Sequence, residues 1–163
     1  MSDIDKLFSE KSAELTSSLN ILIEGLLGQY AKLRESEQKG ELEFIYLSFL
    51  RSSVLCKLPW IRIDLYDKKD RLDAVYCFAD WDVSCVSDRL YNETEKAATE
   101  DRFIKDYDIE KMWLDNVDDY YEAFKCFLPE IIRGCESAQV LECNWHFGEF
   151  FGDTELVWSC END

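Results

Sequence analysis

The stretch WIRIDLYD, residues 60–67, decides the fold class of this chain. Its apolar residues Ile61, Ile63 and Leu65 alternate with polar or aromatic neighbours, and a period of two is typical of a half-buried β-strand. Polar residues follow at 68–71, and the alternation then resumes over about 73–79. The pattern predicts a β-hairpin over about 60–79.

Helical periodicity surrounds this hairpin. A three-to-four spacing of apolar residues predicts a long N-terminal helix over 3–37. A second helix is predicted over 41–58, in ELEFIYLSFLRSSVLCKL, and Pro59 ends it because the residue before proline disfavours the helical region. Further helices are predicted over about 108–133, with a kink or break at Pro129.

The C-terminal part is rich in aromatic and β-branched residues and predicts a second hairpin over about 139–160, turning at Gly152 and Asp153. Residues 80–107 carry no clear pattern. With 163 residues, 47% of them hydrophobic, the chain is long enough for one core, so 1–163 is predicted to be a single domain. The order of elements predicts an α+β fold, with an antiparallel sheet of about four strands and amphipathic helices packed on it.

The charge balance limits the possible partners. The 35 Asp and Glu residues outnumber the 18 Lys and Arg residues, which gives a formal charge of -17. A field of that sign repels nucleic acid and anionic lipid and attracts basic proteins. We therefore expect no nucleic acid or membrane partner and a basic protein as the most suitable one, while the alternative is that the acidity only maintains solubility.

The sequence also favours a cytoplasmic location. Its N-terminus has no basic segment leading into an apolar run, as a signal peptide would have, and the apolar stretch 19–28 is too short to span a membrane. The seven cysteines lie at irregular spacing within apolar segments, which favours free thiols in a reducing compartment over a disulfide framework.

The stretch DNVDDYYEAF, residues 115–124, combines carboxylates with two adjacent tyrosines. On a helix, one inward stripe is formed by Leu114, Val117, Tyr121, Phe124 and Leu128. The predicted outer, partner-binding face then consists of Asp115, Asp118, Asp119, Tyr120 and Glu122. Like charges at this spacing destabilise a helix by a few tenths of a kcal/mol, and a basic partner would relieve that repulsion. A merely solvated helix face is the alternative.

Within this stretch, VDDYYEAF, residues 117–124, resembles the acidic, paired-tyrosine surface by which colicin DNase immunity proteins hold their basic toxins. The resemblance covers only these residues, and those proteins are shorter, all-helical domains. It implies a toxin-immunity type of function in a bacterial cell. It also implies that Asp118, Asp119, Tyr120 and Tyr121 lie at the partner surface, whereas the helical stripe turns Tyr121 inward.

The sequence lacks the common catalytic motifs and so gives little support to an enzymatic function. The chain has one histidine and lacks the nucleophile elbow, the phosphate-binding loop and the dinucleotide-binding glycine pattern, so we expect no catalytic residues and no cofactor. Zinc binding by Cys126, Cys135, Cys143 and His146 stays open, although a buried histidine explains that pattern better. The aspartates at 64, 67, 70 and 73 lack the calcium-loop spacing and are interpreted as a charged hairpin turn.

These observations predict an acidic protein-binding module, of the immunity or inhibitor type, that occludes a basic toxin or effector. Occlusion requires no catalytic residue, which agrees with the lack of motifs. The alternative is a cytosolic enzyme, or a domain that binds a metal or a small ligand.

Overall fold

The structure, a computed structural model, describes residues 3–88, 91, 92, 96 and 106–159. A five-stranded mixed sheet carries two long helices on one face. The helices of the described residues include α1 (Asp3–Glu35), α2 (Arg51–Leu55), α3 (Asp106–Gly134) and α4 (Glu136–Gln139). The strands are β1 (Phe44–Phe49), β2 (Trp60–Tyr66), β3 (Phe78–Asp82), β4 (Asn144–Glu149) and β5 (Thr154–Ser159).

The predicted α+β class is confirmed, although the sheet has five strands and is not wholly antiparallel. The strand order is β3-β2-β1-β4-β5. Strand β1 lies in the centre, where it pairs antiparallel with β2 and parallel with β4. The two hairpins, β2–β3 and β4–β5, flank β1 on either side. The connection from β1 to its parallel neighbour β4 includes α3, which lies against the sheet.

The predicted helix over 41–58 is wrong. Residues Phe44–Phe49 form β1, and only Arg51–Leu55 are helical. Five successive residues of β1, from 45 to 49, are buried, because α1 and α3 cover one face of the strand and the loops after β2 and β4 cover the other. A continuous apolar run of this kind has no period of two, so its sequence does not distinguish a central strand from a buried helix.

The core lies between the sheet and the two long helices. Phe8 of α1 is fully buried, and its ring lies 5.3 Å from the ring of Phe124 and 5.6 Å from the ring of Tyr120, both on α3. Trp81 of β3 closes the other end of the core and donates a 2.9 Å hydrogen bond to Ser18. The contacts of Phe8 with Phe124 and Tyr120 turn that face of α3 towards the core and leave its opposite face at the surface.

The loop after β2 is held by buried carboxylates. Asp73 pairs with Lys39 at 2.5 Å, and the two side chains are 2% and 0% exposed. Burial of the Asp67 carboxyl disfavours its ionisation, but the hydrogen bonds donated by the backbone N–H groups of Gly40 and Lys69 outweigh that effect and lower its pKa. The aspartates of this loop therefore fasten the end of α1 to the β2–β3 hairpin.

Within the described parts of the chain, the helices fall short of the length and apolar character that a membrane span requires.

Candidate protein-binding site

The acidic face of α3 is at the surface, as the sequence predicts for three of its residues. Asp118, Asp119 and Glu122 are exposed, and the side chain of Asp118 is 63% exposed. Asp115 belongs to α3, but its side chain lies outside the described part of the structure. The outer face of α3 therefore presents carboxylates to solvent over at least one helical turn.

The prediction that Tyr120 lies at the partner surface is wrong. Its side chain is 4% exposed and packs in the core against Phe8 of α1. Burial raises the pKa of Tyr120 well above its ordinary value, and its hydroxyl has no hydrogen-bond partner in the described part of the chain. The physical reason is that α3 packs against both α1 and the sheet, so its buried face is wider than one stripe.

Tyr121 is partly exposed and lies at the boundary between the core and the surface. Its ring stacks on that of Phe49 at 4.0 Å with an interplanar angle of 10°, and it lies 6.0 Å from the ring of Phe147. Burial raises the pKa of Tyr121, so the phenol stays protonated at physiological pH. The two adjacent tyrosines thus point in different directions, Tyr120 towards α1 and Tyr121 towards β1.

A groove runs beside Tyr121, between α3 and the β4–β5 hairpin. We call it the α3–β5 groove, and its volume is about 240 Å³. Its aromatic lining is Phe49, Tyr121 and Phe147, with Gly148 beside them. The charged residues of its rim are Asp118, Glu122 and Lys125 from α3, and Glu149, Asp153 and Glu155 from the hairpin.

Two basic residues join the opposite walls of the groove. Arg51 pairs with Glu149 at 3.1 Å and with Asp118 at 3.9 Å. Lys125 pairs with Glu122 at 2.6 Å and with Glu155 at 3.0 Å. Hydrogen bonds with these two carboxylates raise the pKa of Lys125. The ion pairs bridge α3 and the hairpin, and among the described residues carboxylates remain in excess around the groove.

Gly148 of β4 allows the backbone of Asp153 and Thr154 to approach it closely at this end of the β4–β5 hairpin. A Cβ at this position would lie 2.1 Å from the backbone oxygen of Asp153 and 2.8 Å from the Cα of Thr154. Neither atom belongs to a flexible side chain, so only glycine fits without displacing β5. The turn can therefore bring Asp153 to the groove.

Sequence reasoning missed half of this site. Glu149, Asp153 and Glu155 lie about 30 residues from the acidic face of α3, and Phe49 belongs to β1, where the sequence pattern predicts a helix. The parallel pairing of β1 with β4, which places Phe49 opposite Glu149, brings these residues together. An available signal was the repeated acidity of the predicted C-terminal hairpin.

The possible zinc ligands do not converge. Cys135 is buried on the helical side of the sheet and lies 3.3 Å from Asn20 of α1, whereas Cys126 is exposed on α3. His146 is on the opposite face, where its ring stacks on Tyr46 at 4.9 Å. In the ranges that the structure describes, no group of three or more His, Cys, Asp or Glu side chains is arranged to hold a metal ion.

Comparison of the chain with protein-family models, with curated proteins and with solved structures finds no match.

Proposed function

We propose that this protein is an acidic binding module that occludes a basic partner, as an immunity or inhibitor protein occludes a toxin or effector enzyme. The α3–β5 groove and the adjoining exposed carboxylates Asp118, Asp119 and Glu122 form the binding surface. The observation that carries the proposal is the placement of an aromatic-lined groove inside a ring of excess carboxylates, on a chain with a formal charge of -17.

The physical chemistry of such a surface suits a tight protein partner. Carboxylates on the rim increase the rate of encounter with a cationic surface and make it dependent on salt. Partly exposed aromatic residues at the centre, here Tyr121, provide the anchor that slows dissociation. Inhibition by occlusion requires no reacting group.

The ion pairs of Arg51 and Lys125 also support this proposal, because they organise the rim of the groove. Each of the two side chains already pairs with carboxylates from both walls. The rim is thereby organised before the partner arrives, and less side-chain entropy is lost on binding.

The experiment begins with capture of the partner from the cells that make the protein. The bait is the tagged wild-type chain, and a parallel bait carries Asp118→Lys with Asp119→Lys. Capture is performed at low and at high salt, and the recovered proteins are identified by mass spectrometry. We expect a basic protein that is recovered with the wild type at low salt and is lost with the charge-reversed variant.

The recovered partner is then purified, and its activity is measured with and without this protein. Suppression of that activity at a 1:1 ratio is the expected result. A matched control carries Glu35→Lys with Glu142→Lys, which changes the net charge equally at exposed positions outside the groove. Recovery of no basic partner, together with a co-purified metal or small molecule, would contradict the proposal and favour an enzyme or a ligand-binding domain.

A further inference from the structure

The α3–β5 groove has the size and chemistry of a receptor for one side chain, and we propose that its occupant is an arginine of the basic partner. This inference rests on the proposed function, because the arginine belongs to the surface that the protein is proposed to occlude. The groove volume of about 240 Å³ is below the range of about 300–1,000 Å³ that is usual for pockets that enclose small molecules.

The floor of the groove is aromatic, with Phe49, Tyr121 and Phe147 in its lining. The faces of aromatic rings attract cations, and arginine is the more frequent partner. Elsewhere in this chain, the guanidinium groups of Arg62 and Arg71 lie 3.6 Å and 4.4 Å from ring centroids. Among the described residues, no basic group lies over Tyr121, the ring that this groove exposes.

The walls of the groove complement a positive charge from two sides. Asp118 and Glu122 stand on α3, while Asp153 and Glu155 stand on the hairpin. Among the described residues, Arg51 and Lys125 are the basic groups at the groove, and the five carboxylates of these walls, Glu149 included, outnumber them. A cation entering between the walls therefore gains attraction from both, and the neutral phenol of Tyr121 accepts a hydrogen bond from it.

Arginine fits this arrangement better than lysine. Its planar guanidinium stacks on a ring while it donates two hydrogen bonds to one carboxylate, whereas the lysine ammonium is compact and strongly hydrated. The chain provides its own example: Arg62 donates hydrogen bonds of 2.8 Å and 2.9 Å to Asp64, and its guanidinium also lies over the ring of Phe78.

The test uses a capped Gly-Gly-Arg-Gly-Gly peptide and matched peptides that carry lysine or citrulline in place of arginine. Each peptide is titrated into the ¹⁵N-labelled full chain and followed by NMR. We expect shifts centred on Tyr121 and Gly148 and a Kd on the order of 1 mM for the arginine peptide. Citrulline keeps the shape of arginine without its charge, so the citrulline peptide should bind at least about tenfold more weakly than the arginine peptide. The lysine peptide should bind a few-fold more weakly than the arginine peptide, because its ammonium is strongly hydrated and lacks the planar guanidinium.

Variants at the groove separate the roles of charge and ring. Asp118→Asn with Asp153→Asn should weaken arginine-peptide binding about tenfold, whereas Glu35→Gln with Glu142→Gln should leave it unchanged. Tyr121→Phe keeps the ring and should retain most of the affinity, while Tyr121→Leu should abolish the binding. Thermal unfolding of each variant verifies that it is folded, and the exposed Asp pair gives a result even where a Tyr121 variant fails to fold.

Equal binding of the arginine and citrulline peptides, or shifts confined to residues outside the groove, would overturn the arginine proposal. That result leaves the proposed function standing if the charge-reversed bait still loses its basic partner. Conversely, arginine-peptide binding in the groove supports the arginine site, and the inhibitor function is contradicted separately if the cells yield no basic partner but a co-purified metal or small molecule.

Discussion

The buried ion pair between Lys39 and Asp73 gives the sharpest stability prediction. Both side chains are almost completely removed from solvent, and the ammonium also lies 5.5 Å from the ring centroids of Tyr30 and Tyr66. Lys39→Met leaves the Asp73 carboxylate buried without its counter-charge. Breaking a buried pair in this way costs about 3–5 kcal/mol, a large part of the 5–15 kcal/mol that usually stabilises a domain.

The assay is urea unfolding in a double-mutant cycle of Lys39→Met and Asp73→Asn. With a denaturant dependence of about 2 kcal/mol/M, each single variant should lower the midpoint by about 2 M. Asparagine keeps the oxygen that accepts the backbone hydrogen bond of Val75, so the double variant leaves neither charge of this pair buried and keeps that acceptor. Its destabilisation should be clearly smaller than the sum of the two single effects, with a coupling of at least about 2 kcal/mol.

Additive single effects, or single effects below about 1 kcal/mol, would refute this reasoning. Either result would mean that water, or another group of opposite charge, compensates the buried charge that each single variant leaves behind. The control is Lys11→Met, because Lys11 forms an exposed pair with Glu14 and should cost less than about 1 kcal/mol.

Three further predictions concern single residues. Tyr120→Phe removes a buried hydroxyl without a partner among the described residues, so the free energy of unfolding should stay equal or rise by up to about 1 kcal/mol, and partner affinity should not change. Gly148→Ala forces a Cβ against the backbone of β5 and should cost about 2 kcal/mol in urea unfolding. Burial lowers the pKa of His146, the positive charge of Arg71 lowers it further, and the negative charge of Asp70 opposes both effects. The single imidazole should therefore titrate by NMR below the ordinary pKa of about 6.5. Because the unfolded chain then binds a proton that the folded chain does not, the stability contribution of His146 is complete above about pH 6.5 and decreases as the pH falls towards the folded pKa; a midpoint at or above 6.5 would contradict this.

The sequence was informative where the two faces of an element differ in residue type. The alternation at Ile61, Ile63 and Leu65 predicted β2, and the three-to-four spacing predicted the long helices at either end of the chain. In each case the core-facing residues are mainly aliphatic or aromatic and the opposite face carries polar residues, such as Arg62 and Asp64 of β2. The prediction of an α+β fold depended on these elements.

The sequence was misleading where an element is covered on more than one side. Residues 45–49 of β1 are all buried, so their sequence lacks the alternation that marks a strand. Because the pattern predicts a helix there, it does not indicate that Phe49 belongs to the site. The second contact face of α3 likewise placed Tyr120 in the core. The groove itself depends on the pairing of β1 with β4, a contact between residues about 100 positions apart, which local patterns do not encode.

The affinity of the purified partner for wild-type and charge-reversed protein, measured over a range of salt concentrations, tests the central claim most directly. At low salt, Asp118→Lys with Asp119→Lys should weaken binding by about 2 kcal/mol or more, roughly 30-fold, because two attractions become repulsions. The wild type should lose affinity steeply with added salt, the variant should lose less, and the Glu35→Lys, Glu142→Lys control should behave nearly as the wild type does. Equal affinities for the wild type and the Asp118, Asp119 variant, with the same salt dependence, would contradict the claim that the acidic face of α3 and its groove bind the partner.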